Sequence, residues 1–580
     1  MQDAINTFSR WAKDKGLKIN ISKTRVMIFT KQQKVDSRLT LDDENIPKAL
    51  KFKYLGVILD APRLTWTPQI EYLQSQCSNA LNLMKSLAAT KYGADRSNLL
   101  KIYNSLIKSK ISYSSPLIIS ASNTNLGHLE VIQNTALRIA TGALRTTEIP
   151  SLQCEANVPP ISMHLQKLAV KQFYKVQSKG PNHPIHRYTT NEEDGDLPWT
   201  TISKMPFQEK VTNILNDWNI PLDRQPDIPN HATIPPWDTL EETIYLDLID
   251  KETKACSTTQ LKASALKTIY TRFPNTLYIY TDGSKINDTA SQTKSSAAAF
   301  HIPDLEVEVS WKLHPDISIV GAEMSAIYKS LEWLFNISPE NYTKVVILTD
   351  SKVSLHLLLQ RNPKSYAVGV SEIQNNIRLL RYLNWEVYFQ WLPSHCGIQG
   401  NSVADSLAGL AHQNQLIDDY HMEYEERIVR LNEAFNKKWQ SNWDAIAEKF
   451  PNNHLRKIKA TIGPWPHTLL KNRPLDVILT RFRLGHTRLN KHLYKMKMSN
   501  TPNCQKCDVG CAESISHFLM DCVYYTSNRQ IMIRNLEQMG IINPTLAILL
   551  GQSTLEDNKK IKITNELACF IQRSQRMDDL

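Results

Sequence analysis

Long apolar runs are missing from this 580-residue chain. No stretch approaches the roughly 18 consecutive apolar residues of a membrane-spanning helix, so no membrane span is expected. The first residues, MQDAINTFSRWAKDKG, lack the apolar core of a secretory signal and read as mid-domain sequence. Cysteine is scarce. Four of the nine lie between Cys504 and Cys522 and the rest are scattered, which argues against a disulfide framework. A reducing, intracellular compartment, nucleus or cytoplasm, is expected instead. No repeat at a fixed period is visible, so a repeat array is not expected.

What is present is ordinary globular material, 42% hydrophobic and 22% charged, which excludes wholesale disorder. The length exceeds what one core supports and predicts three or four domains. A formal charge of +11 with pI near 9.0 favours a polyanionic partner. Its distribution is uneven. Residues 1–180 hold 25 Lys+Arg against 12 Asp+Glu, whereas 275–412 hold 10 against 13. A basic flank beside an acidic centre suits a metal-dependent enzyme that grips nucleic acid through neighbouring segments.

Apolar spacing sets the expected elements. Ile5, Phe8, Trp11 and Ala12 form a helical stripe that Gly16 ends, followed by a strand closing in VMIFT and a short strand KYLGVILD at 53–60. From 67 to 180 the spacing is mostly helical, as in Leu99, Ile102, Tyr103, Leu106 and Ile107. Prolines then crowd 181–240, and 181–273 reads as a linker, with 240–273 an ambiguous helix. Beyond 275, strands and helices alternate. Strands are expected at 277–282, 296–300, 305–311, 344–350 and 385–391, and helices at 320–335, 352–360, 368–382 and 401–413. The domains are accordingly 1–180, 181–273, 274–414 and 415–580, with 274–414 a mixed α/β domain.

Four acids punctuate that domain: Asp282 in YIYTDGS, Glu323 in GAEMSAIY, Asp350 in VVILTDS and Asp405 in GNSVADSLA. Asp282 and Asp350 end expected strands, where open α/β sheets bind ligands. Glu323 falls on the buried stripe of its helix, where an uncompensated carboxylate is costly and a cation or partner is implied. Asp405 flanks an apolar helix face, and WLPSHCGIQGN upstream brings His395 in a glycine-punctuated loop. Alone, an Asp at a strand end is most often a turn or cap residue, Glu323 reads as the partner of a lysine and His395 as a satisfied loop histidine. Together they suit hard divalent cations, and two such cations serve phosphodiester cleavage. Gly283 is expected to let a nucleic-acid strand approach closely.

Segment 275–413 resembles the type-one ribonuclease H domain through TDGS, the helical glutamate, TDS after an apolar strand, and WLPSHCGIQGNSVAD. The resemblance implies a five-stranded mixed sheet flanked by helices. It implies two Mg²⁺ ions on Asp282, Glu323, Asp350 and Asp405, with His395 assisting proton transfer or product departure. A lysine-rich handle, which some members insert after the third helix, is absent. Substrate grip therefore has to come largely from elsewhere in the chain.

Residues 504–522 read CQKCDVGCAESISHFLMDC, and Cys504, Cys507, His517 and Cys522 have good spacing for a tetrahedral, structural Zn²⁺. Cys511 is an alternative to His517 as fourth ligand, and free thiols are the bland alternative. Lys491, Lys495, Lys497 and Arg529 flank the cluster and favour nucleic-acid contact or a solvated basic face equally.

Residues 8–31, 53–60 and 64–73 (FSRWAKDKGLKINISKTRVMIFTK, KYLGVILD, LTWTPQIEYL) resemble the carboxyl part of a reverse transcriptase from a non-LTR retrotransposon. In that family a ribonuclease H domain and a CCHC cluster follow in the same order. The chain holds no Tyr-x-Asp-Asp-like box, and the resemblance would put the polymerase aspartates upstream of Met1, as in a truncated element protein. The expected function is Mg²⁺-dependent cleavage of the RNA strand of RNA–DNA hybrids, with element RNA as a further partner. The rivals are a non-catalytic nucleic-acid-binding remnant and an exonuclease or integrase-like member of the same broad fold.

Overall fold

The computed structural model describes residues 1–30, 38–89, 93–179, 185, 206–222, 239–250, 257–288, 293–337, 342–361, 363–466, 471–552 and 554–580. Contacts divide the chain into two compact units. One comprises Met1–Ala169, Asp194–Lys210 and Phe435–Leu580, the other Val170–Glu193 and Val211–Ala434. Among the described residues no helix is long and apolar enough to cross a membrane.

The second unit is built on a mixed sheet of β1 (Ile244–Tyr245), β2 (Leu277–Asp288), β3 (Thr293–Ile302), β4 (Val307–Leu313), β5 (Lys344–Thr349) and β6 (Glu386–Trp391). The spatial order is β1-β6-β5-β2-β3-β4. The first four in that order run parallel, and β3 and β4 are antiparallel to their neighbours. β5 is buried from Val345 to Thr349, as a central parallel strand covered on both faces must be. Helices α1 (Thr258–Arg272), α2 (Ile319–Leu334), α3 (Lys352–Leu358), α4 (Ala367–Tyr382) and α5 (Gln399–Ala411) complete the unit. Its core joins Val346 and Ile347 of β5 to Ile327 and Leu331 of α2 and to Ile373 and Ile377 of α4.

The sheet has six strands, not five. The extra one lies in the stretch read as linker: Ile244 and Tyr245 pair in parallel with Phe389 and Gln390 of β6. Nearby α1, opened by a capping box of Ser257 and Gln260, buries Ala265 and Ile269 in the same core. Apolar residues at 244, 248, 265, 269 and 273 lie beyond the prolines, the last of which in 181–273 is Pro236. Helix Phe207–Asp217 lies in that stretch too, while 186–205 and 223–238 lie outside the described residues.

In the first unit, the amino-terminal helix Gln2–Asp14 buries Ser9 and Ala12, while Phe8 and Trp11 stack on each other in solvent with ring centroids 5.7 Å apart. Of the expected stripe, Ala12 is buried and Ile5 half-buried, while Phe8 and Trp11 face outward. VMIFT forms no strand beyond a bridge from Val26 to Lys48. KYLGVILD is not one strand but part of a hairpin, Lys51–Tyr54 against Val57–Asp60. Leu55 and Gly56 turn it with positive φ of 46° and 85°, the two-residue geometry that matches strand twist. Helices Thr67–Leu87 and Asn123–Thr141 pack around Leu73, Cys77, Leu99, Tyr103 and Leu137.

The carboxyl region is shared between the units. Residues 415–434 belong with the sheet, whereas 435–580 pack with 1–169. The latter contact includes Arg96, which donates to Asp476 at 2.8 Å, and Trp465, whose indole N–H donates to Glu155.

Candidate active site and metal centres

Strand register brings the first two acids together. Thr281 of β2 lies opposite Thr349 of parallel β5, so Asp282 and Asp350 follow side by side. Glu323 arrives from α2 because that helix sits directly on β2. A Cβ on Gly283 would fall 2.6 Å from the Glu323 backbone nitrogen. Gly283 thus admits a helix, where the sequence suggested a nucleic-acid strand. One carboxylate oxygen from each of Asp282, Glu323 and Asp350 lies within 4.8 Å of the others.

The electrostatics of this trio are unfavourable as they stand. Burial, then the charges of Asp350 and Asp405, push Asp282 up to about 8. Burial, then the charges of Asp282 and Asp350, hold Glu323 well above the usual carboxylate range, eased by the Gly283 N–H and the Thr349 hydroxyl. Burial raises Asp350 as well, against the pull of His395 and Asn401. Among the described residues no lysine or arginine pairs with the three, and Glu323 Oε2 is buried without a hydrogen-bond partner. Converging buried carboxylates with an orphaned oxygen fit a hard cation, whose charge would reverse every one of these penalties.

Asp405 stands at the rim. Its side chain is half exposed on α5 and lies outside the tight trio, yet its charge raises both Asp282 and Asp350. His395 Nδ1 is 3.8 Å from Asp405 Oδ2, and the ring is largely exposed. The loop that carries it turns through positive φ at His395 and Gly397. α5 comes close to β2 only because Gly400 has no side chain; a Cβ there would lie 2.2 Å from the Tyr280 ring.

Three neighbours were not singled out by sequence. Asn401, 7% exposed, bonds Asp350, and its own Oδ1 lacks a partner. It sits within GNSVAD, so its place in that block was the available signal. The Trp391 indole N–H donates to the Asp350 carbonyl at 3.1 Å, and Lys352 Nζ stands 3.4 Å over the Trp391 ring. Nothing in local sequence signals that pair, because Lys352 opens α3 and Trp391 ends β6.

In the other unit Cys504, Cys507, His517 and Cys522 are all buried and offer ligand atoms within 4.8 Å of one another. His517 Nε2 is 3.4 Å from Cys507 Sγ, whereas Cys511 is exposed and outside the group. The set is the soft, four-ligand kind that closes a structural zinc site. Arg529 does not face solvent as expected. It is buried and donates to the carbonyls of Leu519 and Cys522, at 2.9 Å and 2.7 Å, holding the loop that bears the last cysteine.

The family model described as RNase H matches residues 274–413, the span that contains the sheet from β2 onward and all four acids. The chain therefore carries a ribonuclease H domain. It is also similar to the RNA-directed DNA polymerase from mobile element jockey of Drosophila funebris, 27% identical over 187 residues, which are 32% of this chain and 20% of that protein. The probable RNA-directed DNA polymerase from transposon X-element of Drosophila melanogaster is 26% identical over 142 residues, 24% of this chain and 16% of that protein. The jockey polymerase of Drosophila melanogaster is 23% identical over 176 residues, 30% and 19% respectively. The chain thus spans about a fifth of the length of the curated relatives it matches.

Proposed function

We propose that this protein is a divalent-cation-dependent endonuclease that hydrolyses the RNA strand of RNA–DNA hybrids. The observation that carries the reading is the convergence of buried Asp282 and Glu323 with half-buried Asp350 inside a ribonuclease H domain, with no lysine or arginine among the described residues paired with them. Asp282, Glu323 and Asp350 would hold two Mg²⁺ ions, with Asp405 completing the set from the rim. Bound there, such ions would supply Lewis-acid activation of water and neutralisation of negative charge at the phosphate.

The chain's own groups have separate tasks. Asn401 fixes Asp350 in the orientation that the cluster needs. Trp391 anchors the Asp350 backbone. His395, with Nδ1 towards Asp405, keeps Nε2 for moving a proton at the leaving group or for releasing product. Choice of RNA over DNA rests on contacts to the 2′-hydroxyl. Cys504, Cys507, His517 and Cys522 would hold a structural Zn²⁺. Residues 1–180 would act as the carboxyl part of a reverse transcriptase, and element RNA and an intracellular setting, nucleus or cytoplasm, belong to the same reading.

The test is incubation of the purified protein with a labelled RNA–DNA hybrid and Mg²⁺. Wild type should yield internal cleavage of the RNA strand. Asp350→Asn should slow it by more than about 100-fold, beyond the 10–100-fold that loss of a supporting group around a metal costs. Hybrid binding without Mg²⁺-dependent turnover would favour a non-catalytic binding role instead, and products shortened only from an end would favour an exonuclease.

A further inference from the structure

The ribonuclease H match begins at residue 274, yet α1 and β1 precede it and are built into the same core. That addition brings charge to a place the matched span leaves poor in it. Residues 275–412 carry 10 Lys+Arg against 13 Asp+Glu, an unpromising surface for a polyanion. The three long cations along α1 beyond its first turn differ in what they do. Lys267 is paired with Asp250 at 2.8 Å, and Arg272 bonds Asp247 at 3.3 Å and Gln390 at 2.9 Å. Lys262 pairs with no acid among the described residues.

Position explains where Lys262 goes. It precedes Ala265 by three residues and Ile269 by seven, so it shares the face that α1 turns to the core. A lysine there runs its apolar stem along the packed surface and brings the ammonium out at its edge. That edge is the histidine loop: Lys262 Nζ lies 3.7 Å from where a Cβ on Gly397 would sit, two residues beyond His395. Gly397 itself is exposed and bears no side chain to screen the charge.

We propose that Lys262, contributed by a helix outside the ribonuclease H match, is a substrate-positioning residue that contacts a phosphate of the hybrid at the His395 side of the active site. The inference rests on the hybrid-nuclease reading above. It answers the missing lysine-rich handle: grip at this rim comes from an added amino-terminal helix. A point charge at a phosphate displaces one condensed counterion, so it acts on affinity and on the salt dependence of affinity rather than on the chemical step.

The experiment is steady-state cleavage of a labelled RNA–DNA hybrid by the full-length protein with Mg²⁺ over a series of KCl concentrations. Lys262→Gln should raise KM roughly threefold to tenfold with kcat unchanged, and should lower the slope of log KM against log salt by about 1. Lys262→Arg should restore both, and Lys267→Gln should alter neither. An unchanged KM and slope in Lys262→Gln, or an equal change in Lys267→Gln, would overturn the proposal. Should wild type not cleave, the catalytic reading fails by itself. Hybrid affinity measured by fluorescence anisotropy with Ca²⁺ then decides on Lys262: the same loss of slope supports it, and wild-type affinity in Lys262→Gln overturns it.

Discussion

Gly283 shows how much of the candidate site rests on one missing methyl. The residue follows Asp282 and lies under the α2 backbone at Ala322 and Glu323, so any side chain there must push the helix, and Glu323 with it, off the sheet. Gly283→Ala should cost ~1–3 kcal/mol through overpacking. It should also slow hybrid cleavage by about 100-fold, since a displacement near 1 Å at a reacting centre is that expensive. Thermal melts and a cleavage assay check the two effects; a wild-type rate would mean that Glu323 need not sit where it does. The acids themselves were legible in the sequence, because each lies in a short block with its own signal: a strand end, a helical stripe or a glycine-rich loop. Asn401 and Lys262 were not. Their importance lies in what they touch across the fold, and neither local pattern nor charge announces that. Asp405, read as a fourth member of the set, stands half exposed at its rim, where its charge raises Asp282 and Asp350.

At the scale of elements, sequence periodicity located the strands and helices of the sheet unit to within a few residues from 275 to 413. It failed where partners rather than periodicity decide. The Phe8 and Trp11 stripe of the first helix is apolar but faces outward. β1 is only two residues long and exists because β6 offers it an edge. The segment after α5 is a further case. There Glu423 accepts from the Gly369 N–H at the start of α4, and Glu426 accepts from the Ser318 N–H and hydroxyl at the start of α2. Two carboxylates thus cap two helix starts, where the helix dipole favours negative charge. Burial nevertheless pushes Glu426 up to about 7, above its ordinary value near 4.5. A group raised on folding contributes stability below its unfolded value and loses it as pH rises through the folded one. Glu426→Gln, which does not ionise, should therefore gain on wild type between pH 5 and pH 8, by ~3 kcal/mol at most. Melting curves at several pH values test this; a difference that stays constant across the range contradicts it.

At the scale of the whole molecule, four consecutive domains were expected, and contacts group the chain into two compact units, each made of separate segments. Nothing in composition foretells that 435–580 returns to 1–169, because the contact is made by scattered residues such as Arg96, Glu155 and Asp476. The Cys504, Cys507, His517 and Cys522 set and the acidic trio fall in different units. Asp282, Glu323 and Asp350 are proposed as a cation site, and cation binding tests this without reference to any substrate. Titration of the full-length protein with Mn²⁺, followed by electron paramagnetic resonance, should show ions bound by wild type. In Glu323→Gln affinity should fall at least about tenfold, on the scale set by losses around metal centres. Mn²⁺ binding of equal strength in Glu323→Gln and wild type would contradict the account.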